Sequence, residues 1–269
     1  MKNLFNLICI LLSLGCSSTP SLTMNELELK NEPASVKREK ADLYYSIAQS
    51  MEENEMVERA IENYQEALKI LPKHAESHFS LGKLLLKRGF KKEGLKEIHY
   101  SIKINSRYTE AQTFLARYYM RSAKTYKTSK KLIDQAVKDI TYENQEEVWS
   151  LKLSIDLKVG GKSLAAESAV KASSIPALNC GNRLSIATSF YKMGLLNPAL
   201  HSARKADSLC TETANSNRVT YLKGLIFIKK RNLFVAEKIF NGIETSDSKL
   251  KSKLTKAQIF VRKQIKSGM

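Results

Sequence analysis

Small residues recur in a fixed rhythm among larger apolar ones. From Ala41 to Pro72 the chain reads ADLYYSIAQSMEENEMVERAIENYQEALKILP. The small positions are Ala48, Ala60 and Ala67, with Tyr44, Ile47, Met51 and Tyr64 around them. Apolar positions three and four residues apart predict amphipathic helices. Two antiparallel helices approach closely only where side chains are small, and the larger groups fill the space around those contacts. Pro72 cannot continue the second helix, so a turn is predicted there.

A single helix pair cannot bury its apolar face alone, so the pattern should recur. It restarts near Ala75, Thr109, Glu147, Cys180 and Asn217. Leu81, Gly82, Gly94 and Ser101 carry the second copy, and Leu115, Ala116 and Tyr119 the third. Ala166 and Val170 belong to a looser fourth copy. Ile186, Ala187, Ala199, Ala203 and Ala206 carry a good fifth, and Gly224, Phe227, Ala236 and Phe240 the sixth. The third copy is the weakest. RSAKTYKTSKKL lacks the apolar spacing, which places its second helix near Leu132 to Ile140.

The offsets of Tyr44, Ile47, Ala48, Met51, Ala60, Tyr64 and Pro72 match the ~34-residue tetratricopeptide pattern, and the chain resembles proteins built from that repeat. The resemblance implies an all-α, right-handed solenoid of about six helix pairs over residues 41–245.

Residues 246–269 form a different piece. Leu250, Leu254, Ala257 and Val261 recur at three to four residues in KLKSKLTKAQIFVRKQI, an amphipathic helix. It suits the polar-faced cap that a solenoid needs, and membrane-surface contact by its lysine face is the alternative. From Ser246 to Met269 there are seven basic residues and one acidic, 7 − 1 = +6. The whole chain carries 44 basic and 27 acidic residues, net +17. That balance points to acidic partners or to a solvated basic face.

The first residues, MKNLFNLICILLSL, have the short positive start and apolar stretch of an export signal. The stretch is shorter than the ~20 residues a membrane span takes. LSLGC, ending at Cys16, resembles a bacterial lipobox, with Ser13 where Leu is usual. The resemblance implies a signal over residues 1–15 and acylation of Cys16; an ordinary signal peptide cleaved nearby is the alternative. Ser17 after Cys16 implies the outer membrane in lipoproteins of the enteric type. Residues 16–40, with Pro20, Pro33 and mixed charge, predict a tether of roughly 25 Å reach. An export signal argues against a nucleic-acid partner.

Cys180 and Cys210 remain after the signal and the acylation site are set aside. They fall at opposite ends of one predicted helix hairpin, hence at one edge of it. Export to an oxidising compartment makes a disulfide geometrically sensible, and two separate buried thiols are the alternative.

No catalytic set is recognisable. His74 and His78 lie at i,i+4, but Ala75 stands where a zinc-protease helix needs Glu, and both read as surface positions. Gly160-Gly161-Lys162-Ser163 resembles the end of a phosphate-binding loop, but Asp156 replaces its first glycine and the stretch joins two helices. No metal, cofactor or small-molecule substrate is predicted.

In tetratricopeptide proteins the first helix of each pair lines a groove. The resemblance places Tyr45, Gln49, Phe79, Lys83, Leu86, Arg117 and Met120 on it. Apolar groups among charges suit an extended peptide or a partner helix. Lipobox, tether and six tandem repeats together resemble the type IV pilus pilotins, outer-membrane lipoproteins that help a secretin assemble. Some members of that family carry an intra-repeat disulfide. The resemblance implies an outer-membrane-anchored adaptor facing the periplasm, with a secretin subunit or another envelope protein as partner. A general envelope scaffold that tethers peptidoglycan hydrolases or proteases is the alternative.

Overall fold

The computed structural model describes residues 32–176, 179–211 and 213–267. Twelve α-helices and one 3-10 turn make up the described secondary structure, with no strand among the described residues. The fold is all-α. The chain divides into two compact units between Ile104 and Asn105. The predicted export signal and Cys16 lie outside the described residues.

The first unit contains α1 (Ala34–Glu53), α2 (Val57–Ile70), α3 (Ala75–Lys87) and α4 (Lys91–Ile104). Consecutive helices pack on one another, α1 on α2, α2 on α3 and α3 on α4. Ala48, Ala60 and Ala67 are fully buried, and Tyr64 with Leu81 and Leu84 packs among them. The closest approach is at Gly82 and Gly94. A methyl on either would lie 2.7 Å from the other's carbonyl oxygen, so α3 and α4 meet backbone to backbone.

Helix α1 starts at Ala34, inside the stretch read as tether, which shortens that tether to residue 33 at most. Pro33 sits before the first turn, where its missing N–H costs nothing. The first turns of α1 are polar and therefore lacked apolar periodicity. They are held by ions instead: Arg38 pairs with Asp42 and with Glu76 on α3, both at 3.2 Å.

The second unit holds α5 (Thr109–Tyr119), a 3-10 turn (Ala123–Thr125), α6 (Tyr126–Ala136) and α7 (Gln145–Ser174). It continues with α8 (Cys180–Met193), α9 (Leu196–Leu209), α10 (Thr213–Lys229), α11 (Leu233–Asn241) and α12 (Ser248–Lys266). Helix α6 corrects the expected span of Leu132 to Ile140. Its buried stripe is Ser129, Ile133 and Ala136, and Ile140 is 85% exposed beyond its end. Ser129 reads as polar in sequence, but its hydroxyl donates to the Ala116 carbonyl at 2.6 Å and so enters the core satisfied.

Helix α7 is broken at Gly161, where φ is 66° and ψ −151°. Only glycine adopts that conformation without large strain. The break turns one continuous stretch into two helical arms, Val148, Leu151 and Ile155 buried on the first, Ala165, Ala169 and Ala172 on the second. Helix α12 runs as its spacing predicts, with Leu250, Leu254, Ala257 and Val261 buried. The Asp247 carboxylate caps it by accepting from the Lys249 and Leu250 amides.

Candidate partner-binding face

In the first unit the proposed groove residues form two stripes, one on α1 and one on α3. Tyr45 is half-buried, with its ring 5.7 Å from Tyr64 and 5.6 Å from His74. Gln49 is exposed and its amide donates to the Tyr45 hydroxyl at 3.0 Å. On α3 the Lys83 ammonium lies 5.0 Å from the centre of the Phe79 ring.

One expected anchor is corrected. Phe79 is only 2% exposed, so its ring belongs to the core and presents nothing to a partner. Leu86 is partly buried and leans on α4, where its Cγ would be 2.8 Å from a methyl on Gly94. The glycine that lets the helices approach also draws this leucine inward. Gln49 is exposed, and Tyr45 beside it and Lys83 on α3 are half-buried, so these three carry the accessible chemistry of the stripes.

In the second unit Arg117 is exposed and engages Glu147 at 2.5 Å. Met120 is half-buried and packs with Ala116 and Ile133. Its carbonyl accepts from the Lys158 ammonium at 3.3 Å.

The structure also assembles a polar network that spacing alone did not reveal. His74 and His78, expected on the surface, are buried at 0% and 8% exposure. His74 Nδ1 accepts from the Ser77 amide at 3.2 Å, capping α3, and lies 2.7 Å from the Ser77 hydroxyl. Its Nε2 lies 2.8 Å from Asp42 on α1. Ser77 and His74, three residues apart, are thus aligned with the sequence-distant Asp42. Ser77 and His74 are fully buried, so no substrate reaches the hydroxyl, and the array acts as a helix cap tied to the preceding helix. Burial opposes ionisation of Asp42, but the bonds from His74 and Arg38 outweigh it and hold its carboxyl below the ordinary range. The clue in sequence is a His at the turn before an apolar run, placed where a capping residue belongs. The Asp42 partner lies about one repeat upstream and has no local signature.

His78 is bracketed by Glu97, 2.5 Å from Nδ1, and by the Pro72 carbonyl, 3.0 Å from Nε2. Among the described residues no group of His, Cys, Asp and Glu is placed to hold a metal ion. No described helix is long and apolar enough to cross a membrane. Cys180, at the start of α8, and Cys210, after α9, are joined in a disulfide with Cα atoms 5.1 Å apart.

Consecutive paired helices with buried alanines and glycines at the crossings define a tetratricopeptide-repeat fold. The comparisons agree. Residues 56–89 match the TPR repeat family model. PilF of Pseudomonas aeruginosa is similar in structure, with TM-score 0.68 and 16% identity, over 81% of this chain and 98% of that one. PilW, described as a widely conserved type IV pilus biogenesis factor, gives TM-score 0.66 and 15% identity over 80% and 98%. YrrB, described as a TPR protein with an unusual peptide-binding site, gives 0.53 and 16% over 72% and 97%. No curated protein matches the sequence significantly. Residues 56–89 carry a TPR repeat, and the chain shares the all-α fold of these tetratricopeptide and pilus-biogenesis structures.

Proposed function

We infer that this protein is an outer-membrane-anchored adaptor that promotes assembly of a secretin for type IV pili. The observation that carries this reading is the end-to-end structural likeness to PilF and PilW, which covers 98% of each. The lipobox-like LSLGC and the short segment before α1 support it. Acylated Cys16 confines the repeats to a thin layer beneath the membrane. Confinement raises their effective concentration for arriving subunits without any new contact. The polar stripes of α1 and α3 then hold a subunit segment until neighbours pair. Binding alone accomplishes this, and no step needs covalent chemistry.

The test is the detergent-resistant secretin multimer in a deletion strain and in a strain carrying Cys16→Ser. The deletion abolishes the multimer, and Cys16→Ser mislocalises it and loses palmitate labelling. Normal multimer and normal pili in the deletion strain would replace this reading with the general envelope scaffold.

A further inference from the structure

Helix α12 has two faces of different chemistry. Leu250, Leu254, Ala257 and Val261 are buried in a cluster with Ala236, Phe240 and Ile243. At about 100° per residue, the opposite direction is centred on Ile259. Lys256, Arg262, Lys263 and Lys266 flank that position, and Phe260 lies at one margin with Lys249 and Lys253. Ile259 is 63% exposed and Phe260 48%. A cap that only had to face water would need neither. On α11, Phe234 is 74% exposed and Lys238 is also exposed, opposite the buried Ala236 and Phe240.

The charges are unbalanced. Helix α12 carries seven basic residues and no acidic one. Arg262 meets Glu237 at 3.6 Å, and Asp247 is committed to the helix cap. The six lysines are all exposed and none enters an ion pair among the described residues. Apolar side chains within such a field fit a surface that is anionic outside and apolar just beneath. Clusters of about four to eight basic residues on an amphipathic helix suit anionic headgroups. A folded acidic partner would need a register. A helix about 28 Å long with no acidic group offers nothing to fix one, whereas a bilayer is laterally uniform.

We propose that the outer face of α12 docks on an anionic phospholipid surface, with Ile259 and Phe260 entering the interface and the lysines meeting the phosphates. The core face of the helix stays in the protein, so the contact is shallow and salt-sensitive.

The test uses the full chain with an Ile259→Trp substitution and vesicles of phosphatidylcholine with or without phosphatidylglycerol. The wild-type chain, whose one tryptophan is Trp149, supplies the baseline. The reporter is local to α12, so any contribution from the N-terminal segment does not enter. Emission should shift to the blue and be quenched by brominated acyl chains only when phosphatidylglycerol is present. Replacing Lys249, Lys256, Lys263 and Lys266 by Glu should lower partitioning at least about ten-fold with an unchanged helical spectrum. Quenching that is absent on anionic vesicles overturns the proposal, as does wild-type partitioning by the lysine variant. An acidic protein that captures the wild-type chain while the reporter stays unquenched overturns it in favour of a protein partner.

Discussion

The two units solve the same packing problem differently. In the first, helices meet through absence of side chain: Ala48, Ala60 and Ala67 are fully buried and Gly82 faces Gly94. Its polar links are the surface ion pairs of Arg38 with Asp42 and Glu76 and the contacts of two buried imidazoles, His74 to Asp42 and His78 to Glu97. In the second, small residues are supplemented by cross-links inside the structure. Arg183, 1% exposed, pairs with fully buried Glu146 at 3.0 Å and donates to the Ile175 carbonyl, tying α7 to α8. Buried Asp156 accepts from Lys152 and from Ser168, joining the two arms of α7, and Asp134 on α6 shares Lys152. The disulfide closes the α8–α9 hairpin. The family-model match falls in the first unit, and the loose repeats fall in the second. The second unit thus adds a buried ion pair and a covalent link to the small-residue contacts that both units share.

Breaking the strongest of those links should have the largest effect. Arg183→Ala leaves Glu146 charged and buried, which typically costs about 3–5 kcal/mol. Urea unfolding should show that loss, and Glu146→Leu with Arg183→Met should recover much of it. If the single substitution is neutral, the second unit does not depend on this pair. Removing the disulfide comes next. Reduction, or Cys180→Ser with Cys210→Ser, should cost about 3–4 kcal/mol on the chain-entropy model. A non-reduced digest should contain the linked peptides, and two freely alkylated thiols would remove this element from the comparison.

The first unit should be sensitive to added volume. Gly82→Ala puts a methyl 2.5 Å from Ile98 Cγ1 and should cost about 1–3 kcal/mol. The smallest effect is electrostatic. Burial opposes ionisation of Asp134, but bonds from Lys130 and Lys152 outweigh it and hold its pKa below the ordinary 3.8. The folded value is the lower one, so its stabilisation is complete above the unfolded value and is lost as pH falls through the folded one. Asp134→Asn should cost about 1 kcal/mol at most near neutrality, discounted for its partial exposure. The difference from wild type should vanish in acid; a difference that grows in acid contradicts the pairing.

Sequence made the helix pairs legible because small and apolar residues at fixed offsets have only one economical packing. Ala41 to Pro72 and the α12 stripe needed no structural information. Polar residues with distant partners were not legible. Ser129, His74 and Arg183 each look like surface residues, and each is buried because a partner elsewhere satisfies it. The same blindness affected the face for partners. Position in the repeat nominated Phe79 and Leu86, yet Phe79 is buried in the unit and the Gly82–Gly94 approach brings Leu86 against α4. Phe79→Ala would therefore report on the core, at about 3–5 kcal/mol, and not on binding.

The central claim is that the stripes of α1 and α3 hold a protein partner. A photo-crosslinking amino acid placed at Gln49 or Lys83, and at Lys69 on α2 as control, tests it in intact cells. Gln49 and Lys69 are both exposed, so access alone does not distinguish them. A discrete adduct containing a secretin subunit at positions 49 and 83, absent at 69, is the predicted result. Adducts at none of the three, or equally at all three, would contradict it.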